Sequence, residues 1–286
     1  MNFEIEPLTN QHCNTGENPY WNPDDGCVYW TDIPAGVMYR YDPITTRAEA
    51  CYRGEPVGGF TLQADGKFLL FRVRDIATFD PKLGHVESII QYTDDTMDRF
   101  NDVHADPLGR VYAGTIGAKW TDVGGLYLVG LDKSVRKVAR GTKCSNGMAF
   151  SPDESILYWH CSSRRKIFAF DYDQASGDLR NERVFYDAPA DEGTPDGTAI
   201  DREGNLWSCR WDGHRICIID PAGRKIDEIR FPVAKVSCAI FGGKADNELF
   251  VTTAGGKPDS GNADGTLYRI ATNTTGRPRF RSRVGL

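Results

Sequence analysis

The stretch Tyr20-Trp-Asn-Pro-Asp-Asp-Gly-Cys-Val-Tyr-Trp30 decides the fold. An apolar segment runs into a Pro-Asp/Asp-Gly turn and leaves it as a strand of Cys, Val, Tyr and Trp. This is the pattern of a β-hairpin. The same parts return in the same order in Phe60-Thr-Leu-Gln-Ala-Asp-Gly-Lys-Phe-Leu-Leu-Phe71, Val103-His-Ala-Asp-Pro-Leu-Gly-Arg-Val-Tyr112 and Met148-Ala-Phe-Ser-Pro-Asp-Glu-Ser-Ile-Leu-Tyr-Trp159. Two further copies are Thr198-Ala-Ile-Asp-Arg-Glu-Gly-Asn-Leu-Trp207 and Ala239-Ile-Phe-Gly-Gly-Lys-Ala-Asp-Asn-Glu-Leu-Phe250. In most copies a second hairpin follows and ends on an Asp-Pro-like turn, as in Met38-Tyr-Arg-Tyr-Asp-Pro43 and Ile216-Cys-Ile-Ile-Asp-Pro221.

Each unit therefore supplies four short strands, and no amphipathic helix interrupts them. One four-stranded sheet cannot bury both its faces alone, so a repeat of roughly 40 to 50 residues with this content reads as a propeller blade. The sequence predicts an all-β fold, a six-bladed β-propeller with four-stranded blades around a central channel, spanning residues 1–286 as one domain. Phe3-Glu-Ile5 alternates ahead of the first unit and is expected to complete the last blade as an outer strand.

A net charge of −6 lacks the basic face that a nucleic-acid binder needs. The basic run Arg277-Pro-Arg-Phe-Arg-Ser-Arg283 is the local exception and is expected to be a solvated, partly frayed end. The start, Met1-Asn-Phe-Glu-Ile-Glu-Pro7, carries carboxylates where a signal peptide needs cations, and no stretch is apolar enough to span a membrane. A cytoplasmic protein with no nucleic-acid or membrane partner is expected. The eight cysteines form no C-x-x-C pair and read as reduced, buried hydrophobes.

Counting six residues back from the turn position of Pro23 in each repeat gives Glu17, Gly58, Asn101, Asn146, Asp196 and Cys238. If the repeats are equivalent, these residues stand at one height around the axis. Any one of them alone is explained as a turn residue, since Asn-Gly and Asp-Gly are common turn dipeptides. Their shared offset is not. Carboxylates facing one another across a narrow channel repel unless a proton or cation lies between them. The ring offers only oxygen ligands, the carboxylates of Glu17 and Asp196 with one or both of the amides of Asn101 and Asn146, which favours one hard divalent metal ion, Ca²⁺ foremost, with Mg²⁺, Mn²⁺ and Zn²⁺ as alternatives. So few protein ligands leave positions for water or substrate, as a catalytic ion requires.

At these residues the chain resembles the SMP-30/gluconolactonase (regucalcin-like) family of sugar lactonases. The resemblance rests on Gly16-Glu-Asn-Pro-Tyr-Trp21, Arg99-Phe-Asn-Asp102, Ala113-Gly-Thr115, Ser145-Asn-Gly147, Pro195-Asp-Gly197 and Ser237-Cys-Ala-Ile-Phe-Gly-Gly243, which cover essentially the whole chain. It implies a six-bladed propeller, metal ligands at Glu17, Asn146 and Asp196, and contact of Arg99 and Asn101 with hydroxyls of a small-molecule lactone. It also implies hydrolysis of an aldonolactone to its aldonic acid. Departures from the family pattern fall at three places. Lys119 stands where animal relatives place a substrate-touching acidic pair; His160-Cys161 replaces an Asp after the fourth blade's strand; and Thr253–Asp264 matches the sixth-blade loop only at its start.

In this reading Asp196 is both ligand and proton acceptor, Arg99 orients substrate with its planar donor fork, and Asn101 reads a hydroxyl. Gly58 is expected either to leave room for substrate or to mark a tight turn. His104 and His160 read as packed histidines. Two alternatives stand: a phosphotriesterase of the diisopropyl fluorophosphatase kind on the same ion, and a non-enzymatic calcium-binding propeller.

Overall fold

The computed structural model describes residues 3–256 and 263–286, so the later part of the Thr253–Asp264 loop lies outside the described residues. The architecture is that of a six-bladed β-propeller, with six four-stranded antiparallel sheets in which each first strand pairs with the second, the second with the third and the third with the fourth. The first strands are Gly16–Asn22, Val57–Leu62, Met97–Ala105, Ser145–Phe150, Thr194–Ile200 and Val236–Gly242, and they define blades one to six. Helix among the described residues is limited to three single turns of 3₁₀ type, none able to cross a membrane.

Burial explains why these segments form strands. First and second strands are buried almost throughout, and fourth strands such as Arg47–Arg53 and His85–Gln91 are mostly half-buried or exposed. Apolar, β-branched and aromatic side chains concentrate where both sheet faces are covered. The turns behave as their residues dictate. In blade one Asn22 Oδ1 accepts the Asp24 N–H at 3.0 Å, Asp25 Oδ1 accepts the Cys27 N–H at 3.1 Å, and Gly26 takes φ +67°.

The chain divides into two compact units, one of blades one, five and six and one of blades two, three and four. In the first unit the cores of blades five and six merge through Trp207, Ile216, Val236, Phe241 and Tyr268. The last blade is closed by Ile5–Pro7, which pairs antiparallel with Tyr268–Ala271, Ile5 opposite Ile270. This strand begins two residues later than the sequence suggests. Phe3 packs edge-on against Trp207 instead, with ring centroids 6.1 Å apart.

In the second unit, residues 279–286 overturn the expectation of a frayed end. Ser282 N–H donates to Leu62 O at 3.0 Å, Ala64 N–H to Ser282 O at 2.9 Å, Arg283 N–H to Gly109 O at 2.8 Å and Gly285 N–H to Leu131 O at 2.9 Å. Ser282 and Val284 are buried, and the Phe280 ring meets Phe150. Seven of the eight cysteines are buried, Cys51 is half-buried, and all eight are free thiols.

Candidate metal and substrate site

The offset shared by six residues in the sequence corresponds to one repeated backbone feature. In every blade the pairing of first and second strands slips at this step: between Glu17 and Tyr20, Val57 and Gly59, Phe100 and Val103, Ser145 and Met148, Pro195 and Thr198, and Val236 and Cys238. Gly58, Asn101, Asn146 and Asp196 lie inside the slip, and Glu17 and Cys238 lie on its border. A bulge breaks the ladder and re-aims side chains, which is how a strand residue comes to present a polar group from a buried stretch. In blade one the slip is helped by Asn18, which adopts φ +49°, a region asparagine tolerates better than most residues.

In the unit of blades two to four, three of the residues singled out in the sequence form one hydrogen-bonded chain. Arg99 Nη1 donates to Asn101 Oδ1 at 2.6 Å and to Phe100 O at 2.9 Å. Asn101 Nδ2 donates to Asn146 Oδ1 at 2.6 Å and to Ser145 O at 2.9 Å. Asn146 Nδ2 in turn donates to Ser162 Oγ at 2.8 Å and contacts Cys144 Sγ at 3.4 Å. Ser162 and Cys144 were not picked out by sequence reasoning, because a serine and a cysteine at blade ends carry no motif. Ser145 was quoted only as part of Ser-Asn-Gly; its Oγ accepts the Trp159 indole N–H at 2.7 Å.

Asp102, next to Asn101, is buried, and its Oδ1 has no hydrogen-bond partner. Burial pushes its carboxyl up to about 6, against the opposing pull of Arg279 and Arg99. His104 is buried beside the Phe150 ring, and burial, aided by Arg279, holds its pKa well below the ordinary value, so it packs as a neutral ring. Lys119 lies in the 3₁₀ turn Ala118–Trp120 with φ +54°. Its backbone N–H donates to Asp98 Oδ2 at 3.0 Å and its side chain is exposed, outside the Arg99–Asn101–Asn146 chain.

In the unit of blades one, five and six, Glu17, Asp196 and Cys238 are all buried. A Glu17 carboxylate oxygen lies within 4.8 Å of Cys238 Sγ. Ser237 Oγ donates to Gly16 O at 2.6 Å and ties the first strands of blades six and one together beside Glu17. A Cβ on Gly197, the residue after Asp196, would stand 2.2 Å from Cys238 Sγ, so the glycine is what lets the first strands of blades five and six approach.

The profile of the SMP-30/gluconolactonase/LRE-like region matches residues 15–255. The chain belongs to that family. Among its relatives in the family, a pentonolactonase from Haloferax volcanii is 36% identical over 293 aligned residues, covering 99% of each chain. Regucalcin from Homo sapiens is 32% identical over 264 residues, covering 88% of this chain and 87% of its own. The solved structure of a luciferin-regenerating enzyme superposes with a TM-score of 0.89 at 27% identity, over 99% of this chain and 100% of the other.

Two expectations at sites of departure or vacancy in the family pattern are sharpened by the geometry. A Cβ on Gly58 would lie 2.1 Å from Phe100 O, so the missing side chain lets blade two's first strand pack against blade three's and leaves no room for substrate there. His160 and Cys161 are both fully buried; Cys161 Sγ donates to Thr142 Oγ1 at 3.1 Å and packs with Trp159 in the blade-four core, while Ser162 is the residue that reaches Asn146.

Proposed function

We propose that this protein is a metal-dependent lactonase that hydrolyses a sugar lactone, an aldonolactone of the gluconolactone or pentonolactone kind, to its aldonic acid. Glu17, Asn146 and Asp196 hold one divalent ion, Ca²⁺ first among the candidates; Arg99, Asn101 and Lys119 engage the substrate. The observation that carries the reading is the hydrogen-bonded chain from Arg99 through Asn101 to Asn146, which links the substrate-facing residues to an ion ligand. The pentonolactonase relative, alike over 99% of both chains, supports the same reaction class.

The donor set fits such an ion. Glu17, Asn146 and Asp196 offer only oxygens, and all three are buried. Asp102, next to Asn101, adds a buried Oδ1 that accepts no hydrogen bond. When bound, the ion supplies Lewis-acid polarisation of the lactone carbonyl. The protein's own groups do the rest. Arg99 is held by its bonds to Phe100 O and Asn101 Oδ1, which fix the plane of the guanidinium that is to orient the substrate. Asp196 takes a proton from the attacking water through its carboxylate, and the proton passes to the ring oxygen as the ester C–O bond breaks. Lys119, exposed at the end of blade three, supplies a cation to the outer part of the substrate. The free, mostly buried thiols fit a reducing compartment such as the cytoplasm.

The test is to strip the protein with chelator, add back Ca²⁺, Mn²⁺, Mg²⁺ and Zn²⁺ separately, and follow acid release from hexono- and pentonolactones beside an organophosphate. Acid release from lactones with at least one ion is expected. No hydrolysis with any ion refutes the enzyme, and preference for the organophosphate refutes the substrate class. Full turnover by Asp196→Asn with the ion retained removes its role as proton acceptor.

A further inference from the structure

Blade five contains a buried charge cluster that the reaction described above does not use. Arg210, on strand Leu206–Trp211, is completely buried, yet its Nη2 lies 3.6 Å from Glu192 Oε2. Glu192 ends the 3₁₀ turn Ala190–Glu192, and its other oxygen accepts Lys225 Nζ at 2.9 Å. Lys225 also donates to Glu228 at 2.7 Å, and Glu228 accepts Arg215 Nη1 at 3.0 Å. Arg215 closes the circuit by donating to Asp191 O at 3.1 Å and Gly213 O at 2.8 Å.

The cluster clamps one short piece of backbone. Arg210 is the cross-strand partner of Pro195, the residue before Asp196. Gly193, with φ +81°, lies so close to the next hairpin that a Cβ there would stand 2.5 Å from Gly213 Cα; a Cβ on Gly213 would stand 2.1 Å from Glu192 O. The segment leading into Asp196 is thus fixed by charges on one side and by backbone contact on the other.

A buried ion pair is a poor source of stability, since apolar residues of the same volume usually serve the fold as well or better. The charge-assisted hydrogen bonds that Lys225 gives Glu192 and Glu228 are directional, with Arg210 facing the other Glu192 oxygen as an ion pair at 3.6 Å, and a ligand or base must be held to within about 0.5 Å to work. We propose that Glu192, Arg210 and Lys225 are positioning residues for Asp196, setting the direction of its carboxylate through the turn and strand that carry it. This rests on the reading of Asp196 as ligand and proton acceptor.

The experiment compares wild type, the double variant Glu192→Leu/Arg210→Met and the single variant Arg210→Lys. Melting temperature, the Kd for Mn²⁺ by calorimetry, and kcat and KM for gluconolactone at saturating Mn²⁺ are measured for each. In the double variant Lys225 keeps Glu228, so the melting temperature is expected to hold or rise. The Mn²⁺ Kd is expected to rise about tenfold and kcat to fall by a similar factor, the low end for groups that orient a metal ligand, with KM moving less than about twofold. A folded double variant with wild-type Kd and kcat overturns the proposal. Should the double variant fail to fold, Arg210→Lys decides: it keeps the charge but not the fork, so a weaker ion site is expected and an unchanged Kd overturns the proposal. If wild type binds Mn²⁺ but hydrolyses no lactone, the proposed reaction fails and the Kd comparison still decides the positioning role. If wild type binds no Mn²⁺, the comparison is run with whichever of Ca²⁺, Mg²⁺ and Zn²⁺ it binds; if it binds none of the four, both fall.

Discussion

Replacing Asp102 by Asn in the chelated protein should stabilise it, and by an amount that depends on pH in a defined way. The carboxyl is pushed from its ordinary 3.8 up to about 6 by burial. The folded state therefore holds the proton more tightly than the unfolded state. Stability from this group is fully present below the unfolded value and is lost as pH rises toward and through the folded one. With those two values the penalty on wild type is about 1 kcal/mol near pH 4.5 and about 3 kcal/mol near pH 7.5. Asn has the same shape and no charge at either pH, so Asp102→Asn escapes the penalty. Urea unfolding of both proteins in chelator, at about pH 4.5 and about pH 7.5, gives their stability difference at each pH, and groups common to both cancel. That difference should move in favour of Asn by about 2 kcal/mol between the two conditions. A difference that stays flat to within about 0.5 kcal/mol, the usual reach of non-additivity, refutes the argument that burial raises this carboxyl.

Three further outcomes are expected. Gly58→Ala puts a Cβ 2.1 Å from a backbone oxygen that cannot swing aside, so it should cost about 3 kcal/mol in urea unfolding; a cost under about 1 kcal/mol would mean the strands adjust freely. Deleting residues 279–286 strips buried Val284 and the bonds to Leu62, Gly109 and Leu131, so the protein should lose at least about 2 kcal/mol, and unchanged stability would show that the segment merely rests on the surface. Asp94 is held at about 2 despite partial burial, by Thr96, Tyr127 and Lys137. Asp94→Asn should therefore cost about 1 kcal/mol at neutral pH after allowance for its exposure. The deficit should vanish as pH falls from about 4 toward 2, and a deficit independent of pH would contradict the carboxylate's role.

The fold was legible because its turns are chemically explicit. Pro23-Asp24 through Gly26, Asp65-Gly66 and Pro152-Asp153 mark the same hairpin in different blades, and the strands around them are buried and mostly apolar. The aligned polar residues were legible for a related reason: counting from a turn fixes the register, and the register carries the bulge at which Asn101, Asn146 and Asp196 sit. What sequence did not carry is contact made across long separations. Glu192, Arg210 and Lys225 look like ordinary surface charges until strand pairing brings them together. The run of cations at 277–283 reads as solvated, although between them Phe280 and Ser282 are packed and bonded.

The closing strand also sets a schedule for synthesis. Ile5 pairs with Ile270, so this segment has no partner until the residues between them have followed it from the ribosome. At about 5 to 20 residues per second, that interval is roughly 10 to 50 s. A long apolar edge exposed for such a time would invite pairing with other chains. Ile5–Pro7 is three residues long, carries the charge of Glu6 and ends in a proline that cannot donate to a ladder, so the waiting strand is a poor template for any partner except the one the finished chain supplies.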